Sequence, residues 1–298
     1  MLCSSRCWSS CAAQSRFKGV HSGAARVRGA SAASRQARAA SAARADGVPV
    51  FETLVMVNGS TDVTQTPEEQ QEMLDVLWSL QYRTPGAICA SAGPVVRSAS
   101  RDGATAPRAA VYYRFSQQAQ AEKFVAGPVF ADAKARLIKS STVSLSLWKV
   151  LVPNDIEALF RRGPAWETGV EALLVLQPTA APAVAAGAKG IAAPAPAPAL
   201  PMDVVVETVG RLQQTALAAG CVQVSCGADV MSLDTKLVWT GRFPSEDGAQ
   251  RFLRSPVVAE LARGLGGLGV EGGEAGPLTL ASLALIEVGS VDQSKQRI

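Results

Sequence analysis

Histidine is almost missing from this chain: among 298 residues there is one, His21. It lies within the first 45 residues, a tract with no aspartate or glutamate before Asp46. If that tract is removed, the working protein has no imidazole. This excludes Ser-His-Asp and Cys-His catalysis, histidine acid–base chemistry, histidine-ligated haem and most zinc sites. Cysteine is also sparse. Cys3, Cys7 and Cys11 share the same tract, which leaves Cys89, Cys221 and Cys226. An odd number without a framework is expected as free thiols in a reducing compartment. On a strand, the odd separation of Cys221 and Cys226 points them to opposite faces, so they should not pair locally. The chain holds no uninterrupted apolar run of membrane-spanning length, and Lys295-Gln296-Arg297-Ile298 is not a peroxisomal signal. The glycine-rich stretch 264–273 has no strand before it and no Lys-Ser/Thr after it, so it is expected as a connection rather than a phosphate loop. Neither a metal nor a cofactor is expected.

What the first 45 residues do contain is Lys18, seven arginines and runs of alanine and serine. Arg-rich, Ser-rich and acid-free is the composition of a transit peptide, and residues 1–45 are set outside the fold on that ground. The mature chain is expected to begin between residues 35 and 50, where this tract gives way to a strand at Val50. Taking its eight cations from the 29 in the whole chain leaves 21 basic against 25 acidic residues, a body near −4. A body of that sign carries no nucleic-acid footprint.

The remainder repeats itself. Residues 114–132 align without gaps on 242–260, with seven of 19 positions identical, among them Arg114/Arg242, Phe115/Phe243, Phe124/Phe252 and Pro128/Pro256. Upstream, Gly86, Ile88, Ser91 and Gly93 match Gly220, Val222, Ser225 and Gly227, and Phe51-Glu52-Thr53 is matched to Trp166-Glu167-Thr168. Three blocks in one order indicate two diverged copies. Each reads strand, helix, strand, strand, helix, strand. Strands are predicted at 50–57, 88–95, 108–115 and 142–152, then at 167–176, 221–228, 236–243 and 278–288. Thr66-Pro67-Glu68-Glu69 reads as a capping box, and Ser116 and Ser245 are taken as caps of the later helices. The predicted layout is repeat 1 at 48–153, a linker at 154–164, repeat 2 at 165–289 and a tail at 290–298. The Pro/Ala tract 177–201 is a loop insertion of polyproline character within repeat 2.

Two such units imply an α+β fold of two tandem ferredoxin-like repeats closing on each other into an intramolecular barrel. The order of blocks, with Phe115 and Phe243 ending the third strands and Phe124-x-x-x-Pro128 and Phe252-x-x-x-Pro256 in the helices, resembles the stress-response A/B barrel family. That family is a branch of the dimeric α+β barrel superfamily. The resemblance spans nearly everything after residue 48 and implies a plastid protein, with the mitochondrion as the alternative. It also implies histidines in the opening strand and in the late helix. Here those positions hold Thr53 and Thr168, and Gly127-Pro128-Val129-Phe130 and Ser255-Pro256-Val257-Val258. The cyclase activity of plant relatives therefore does not carry over.

Three functions follow as expectations. The leading one is a non-catalytic, stress-associated chloroplast barrel that binds a small apolar or anionic ligand, or a protein partner. The alternatives are a structural interaction module, and a histidine-independent enzyme of the superfamily using groups such as Tyr112, Tyr113, Glu52 or Glu167. Alternation places Ala110, Tyr112 and Arg114, with Val238, Thr240 and Arg242, on the face toward the other sheet. Tyr112, Arg114 and Arg242 are thus the candidate ligand-binding residues, two arginines suited to a carboxylate or phosphate and one hydroxyl. The competing expectation is that both arginines end their strands and snorkel to water. Neither a nucleic acid nor a membrane is expected as a partner, and the assembly is either a pseudo-dimeric monomer or a homodimer. The tryptophans Trp78, Trp148, Trp166 and Trp239 are expected as packing residues.

Overall fold

A computed structural model describes residues 47–59, 66–100, 106–137, 142–179, 202–231, 236–263, 265 and 278–288. Residues 1–46, with the tract expected as a transit peptide, most of the Pro/Ala insertion, nearly all of the glycine-rich stretch and the tail lie outside the described residues.

Repeat 1 runs β1 (Val48–Asn58), α1 (Pro67–Ser79), β2 (Ala87–Ser100), β3 (Pro107–Phe115), α2 (Gln118–Ala126), α3 (Pro128–Leu137) and β4 (Thr142–Val152). A connector follows with α4 (Ile156–Phe160) and α5 (Pro164–Glu167). Repeat 2 runs β5 (Val170–Pro178), α6 (Met202–Ala218), β6 (Gln223–Ala228), β7 (Leu237–Phe243), α7 (Glu246–Leu253), α8 (Pro256–Leu261) and β8 (Leu278–Glu287). The eight strands form one antiparallel sheet in the order β4-β1-β3-β2-β8-β5-β7-β6. Each half is ferredoxin-like, and the sheet nearly closes into a barrel.

Sequence alternation explains the layers. On β1, Val55 and Val57 pack under the helices of repeat 1, while Leu54 and Met56 point into the core shared by both repeats. On β5, Leu174 and Leu176 face the helices and Leu173 the shared core. Trp148, Tyr112, Val238 and Ile286 fill that shared core and are almost wholly buried. Burying each such side chain contributes roughly 1.5–3 kcal/mol, so a half-barrel with this face exposed would be unstable. The helix starts are written locally. Thr66 Oγ1 accepts from Glu69 N and Glu69 Oε2 accepts from Thr66 N, completing the predicted box.

Two seams join the repeats. At the first, β2 and β8 form a ladder from Val95↔Ile286 to Ser100↔Ser282. At the second, the sheet's outer strands meet: Trp148 and Asp229 bridge, and Val230 N donates to Leu147 O at 2.8 Å. Asp229 Oδ1 accepts from Leu147 N at 3.0 Å and from Met231 N at 3.1 Å. The equivalent glycines Gly93 and Gly227 stand one at each seam, against the backbones of Glu287 and Lys149.

The structure corrects three local readings. The segment 167–169 is not strand: Pro164 and Glu167 bound a helical turn, and β5 starts at Val170. The third repeat block is therefore misregistered. Phe51 pairs with Phe115 and Val170 with Phe243, so Glu52 corresponds to Glu171, not Glu167, and Thr53 to Ala172, not Thr168. Ser116 is not a cap. Gln117 takes the cap position without a side-chain bond, whereas its repeat-2 counterpart Ser245 accepts from Gly248 N.

Candidate functional site: a buried ionic cluster under the connector

β1 and β5 begin, and β3 and β7 end, at the same mouth of the barrel, and all four bring a charged residue there. Glu52 lies directly opposite Arg114 in the β1–β3 ladder, and Glu171 directly opposite Arg242 in the β5–β7 ladder. All four are 1–2% exposed. The inward direction of Arg114 and Arg242 follows from alternation, and the snorkelling expectation is corrected: the connector covers this mouth, and both side chains are buried against its carbonyls. It runs from β4 to β5 and lays carbonyl groups over the barrel end.

The two repeats treat the same pair differently. In repeat 1, Arg114 Nη2 contacts Glu52 Oε1 at 2.5 Å, and its Nη1 donates to Ala158 O at 2.6 Å and Leu159 O at 2.8 Å. In repeat 2, Glu171 does not take Arg242. Its carboxylate is paired with Arg161, which descends from the connector and also lies 3.9 Å from Glu52. Arg242 is left to backbone acceptors, donating from Nε to Ala165 O at 3.2 Å and from Nη2 to Thr168 O at 2.9 Å. Its Nη1 makes no hydrogen bond, and neither do the Tyr112 hydroxyl, Glu52 Oε2 and Glu171 Oε2.

Aromatic faces hold the cations apart. The Arg161 guanidinium carbon sits 4.7 Å from the Tyr112 ring centroid and 5.2 Å from that of Trp166. That of Arg242 lies 5.5 Å from the Trp166 ring. Trp148 and Trp239 are packing residues with no exposure, but Trp166 is half-buried and serves as a cation platform. Burial, then the neighbouring Arg114 charge, pushes Arg161 down to about 10; burial alone does the same to Arg242. Both stay cationic at neutral pH. Burial raises Tyr112 well above the ordinary phenol range, so its hydroxyl keeps its proton. Cys89 lies under the connector, its Sγ 3.9 Å from Leu159 O.

The cluster thus carries three guanidinium groups against two carboxylates, with an unpaired phenol donor and an unpaired N–H on Arg242. Sequence reasoning found Tyr112, Arg114 and Arg242. It missed Glu171, through the misregistered block, and Arg161, which fell in the presumed linker and belongs to neither repeat. Glu167 is exposed on α5, and Tyr113 faces the helices, donating its hydroxyl to Leu77 O. Among the described residues no group of histidine, cysteine, aspartate and glutamate is arranged to hold a metal. A surface cavity of about 140 Å³ between α6 and α8 is spanned by Arg211–Glu260 at 2.7 Å. That pair is well exposed, and solvent screens it.

Comparison with known proteins completes the description. No protein-family model matches the chain, and no curated protein does. Solved structures share its architecture. An anthrone oxidase-like protein has TM-score 0.48 at 12% identity, covering 82% of this chain and 93% of its own. A provisionally assigned chlorite dismutase has TM-score 0.47 at 11% identity, covering 83% and 99%. A provisionally assigned monooxygenase from Fusobacterium nucleatum has TM-score 0.42 at 10% identity, covering 82% and 94%. These are dimeric α+β barrel proteins, and the likeness is one of fold. It corrects the leading functional expectation. The barrel was counted as ground for a non-catalytic, stress-associated protein, yet the proteins sharing it are named for enzymes.

Proposed function

We propose that this chain is a histidine-independent enzyme of the dimeric α+β barrel type, acting on a small anionic substrate at the connector-covered mouth of the barrel. The observation that supports this reading is the excess positive charge of the buried cluster. Three buried arginines face two carboxylates, and burying an uncompensated charge is costly unless something pairs with it. A carboxylate or phosphate on the Arg242 Nη1 side would supply that charge. Tyr112, kept protonated by burial, would donate to a substrate oxygen. Arg161 and Arg114 would stabilise negative charge developing there, an effect strengthened where water is excluded. Tyr112 and Arg242 are accordingly the residues proposed to touch substrate, while Arg114 is engaged with Glu52 and the connector.

Within the superfamily we place the chain nearest the stress-response A/B barrel branch, on the Phe115/Phe243 and Phe-x-x-x-Pro blocks. We further propose plastid import directed by residues 1–45, on their composition. A fluorescent fusion of the full chain tests the address, and retention in the cytosol would reject it. For the enzyme, purified protein is incubated with an extract of organelle metabolites, and consumption is followed by mass spectrometry. The expected result is loss of an anionic metabolite with the native protein but not with Tyr112→Phe or Arg242→Gln. Equal metabolite profiles with native protein and both variants would overturn the reading.

A further inference from the structure

The two repeats supply the same pair of opposed residues at the same mouth, yet only one pair is joined. Glu52 and Arg114 meet across β1 and β3, whereas Glu171 and Arg242, opposite each other across β5 and β7, do not. Directly opposite residues on neighbouring strands have Cβ atoms about 4.5–5.5 Å apart, so Glu171 and Arg242 are within reach of each other. What separates them is Arg161, which occupies the Glu171 carboxylate. Arg242 turns instead to two carbonyls of the same connector, those of Ala165 and Thr168.

Arg161 is held against its own backbone preference. It has φ 51 and ψ 46, the left-handed region, and is the one non-glycine with positive φ among the described residues. Such a conformation is unfavourable for a residue with a side chain and persists only when its surroundings enforce it. Gly163 at φ 99 follows Arg161 within the connector, and Gly169 at φ 134 ends it before β5. The connector therefore has flexible points at Gly163 and Gly169, and a strained residue whose side chain is its main ionic tie to the barrel.

We propose that the connector, 154–168, is a latched lid over the barrel mouth, with Arg161 as the latch and Arg242 as its replacement. In the closed state Arg161 holds Glu171 and Arg242 holds connector carbonyls. In the open state Arg161 withdraws, and Arg242 releases the connector to pair with Glu171 as Arg114 pairs with Glu52. Each state gives the Glu171 carboxylate a guanidinium partner. The exchange thus costs far less than exposing a buried charge, and two alternative pairings of one carboxylate make the element bistable. Opening uncovers Tyr112, Arg114 and Cys89 together. The inference deepens the enzyme reading by supplying its route of substrate entry, but the latch is read from the ion pairs and stands or falls without turnover.

Cys89 is a built-in reporter. It is 3% exposed beneath Leu159 of the connector, while Cys221 is 6% exposed beneath the repeat-2 helices. Thiol labelling of the full chain in native buffer, read residue by residue by mass spectrometry, follows opening at the first and general unfolding at the second. Arg161→Gln is expected to raise the Cys89 rate at least tenfold and leave the Cys221 rate within twofold. Gly163→Ala, which forces a strained residue into the connector without touching the ionic cluster, should raise the Cys89 rate in the same selective way. A double-mutant cycle tests the replacement pairing. Glu171→Gln and Arg242→Gln should act independently on the unfolding equilibrium constant in the otherwise native chain, within twofold. In the Arg161→Gln background they should depart from independence at least fivefold. Cys89 and Cys221 rates rising in parallel for both variants would overturn the lid. Independence in both backgrounds would overturn the exchange. Loss of turnover with labelling and coupling as expected would instead reject the enzyme reading alone.

Discussion

Gly93 of β2 lies so close to the Glu287 carbonyl of β8 that a Cβ built on it would stand 1.5 Å from that oxygen. The obstruction is backbone on the partner strand, so relief requires separating the repeats. Gly93→Ala is therefore expected to destabilise the protein by about 3 kcal/mol or more, as overpacking at a rigid contact does. Gly210, midway along α6, is the contrast, because a Cβ there meets nothing within 4 Å. Gly210→Ala should stabilise by roughly 0.5–1 kcal/mol by lowering the entropy of the unfolded chain. Urea midpoints of the two variants check both signs.

Glu52 and Arg114 make a buried pair whose net worth is small but whose disruption is not. Removing one charge strands the other in a low-dielectric interior, which typically costs about 3–5 kcal/mol. Glu52→Gln should show that loss, and Arg114→Met the same. The double variant should recover much of it, since neither charge is then orphaned. Thermal melts of the two singles and the double give the answer. Additive losses would mean that Arg161, 3.9 Å from Glu52, already compensates the carboxylate.

Much of this fold was written locally. The Thr66–Glu69 box, the parity of Leu54 against Val55 and the Phe115/Phe243 repeat all depend on short-range rules that sequence displays directly. The opening strand of repeat 2 was read three residues early, and its block matched four residues out of register, because Phe51-Glu52-Thr53 and Trp166-Glu167-Thr168 are alike in type. Only the ladder register, Glu171 against Arg242, separates true equivalence from resemblance. Arg161 was out of reach for another reason. Its role arises from a non-repeated connector folding over the barrel mouth, and no periodicity marks a residue that acts by breaking the symmetry of its neighbours. The candidate site was therefore half legible: its strand residues follow from alternation, its connector residue does not.

Burial pushes the Cys221 and Cys226 thiols up from 9.0 to about 12. For each, the unfolded chain ionises first. Their stabilising contribution is fully present below pH 9 and is lost progressively as pH rises from 9 toward about 12. Between pH 8 and 10 the two thiols should lower stability, while the buried arginines near 10, which lose protons first in the folded chain, oppose that fall above about pH 9. The decline should be shallower in a Cys221→Ala/Cys226→Ala variant. Chemical denaturation of both proteins at pH 8, 9 and 10 measures it, and identical profiles for the native chain and the variant would show that these thiols are solvated.

The closing seam rests on one side chain. Asp229 Oδ1 accepts from Leu147 N and Met231 N, fixing the end of β6 against β4, where Val230 N donates to Leu147 O and Trp148 and Asp229 bridge. Charge-assisted bonds of this kind contribute about 1.5–3 kcal/mol each, so one carboxylate stands in for a ladder. Asp229→Ala should loosen β4–β6 while leaving the five-register β2–β8 ladder intact. Hydrogen exchange should then quicken at the Leu147 and Val230 amides, with little change along 95–100. An opened seam also frees two strand edges, and an unpaired edge is a template for another chain. Light scattering of Asp229→Ala should accordingly show more concentration-dependent association than the native chain. Unaltered exchange at Leu147 would mean that the packing of Trp148 against Gly227, not the carboxylate, holds the barrel shut.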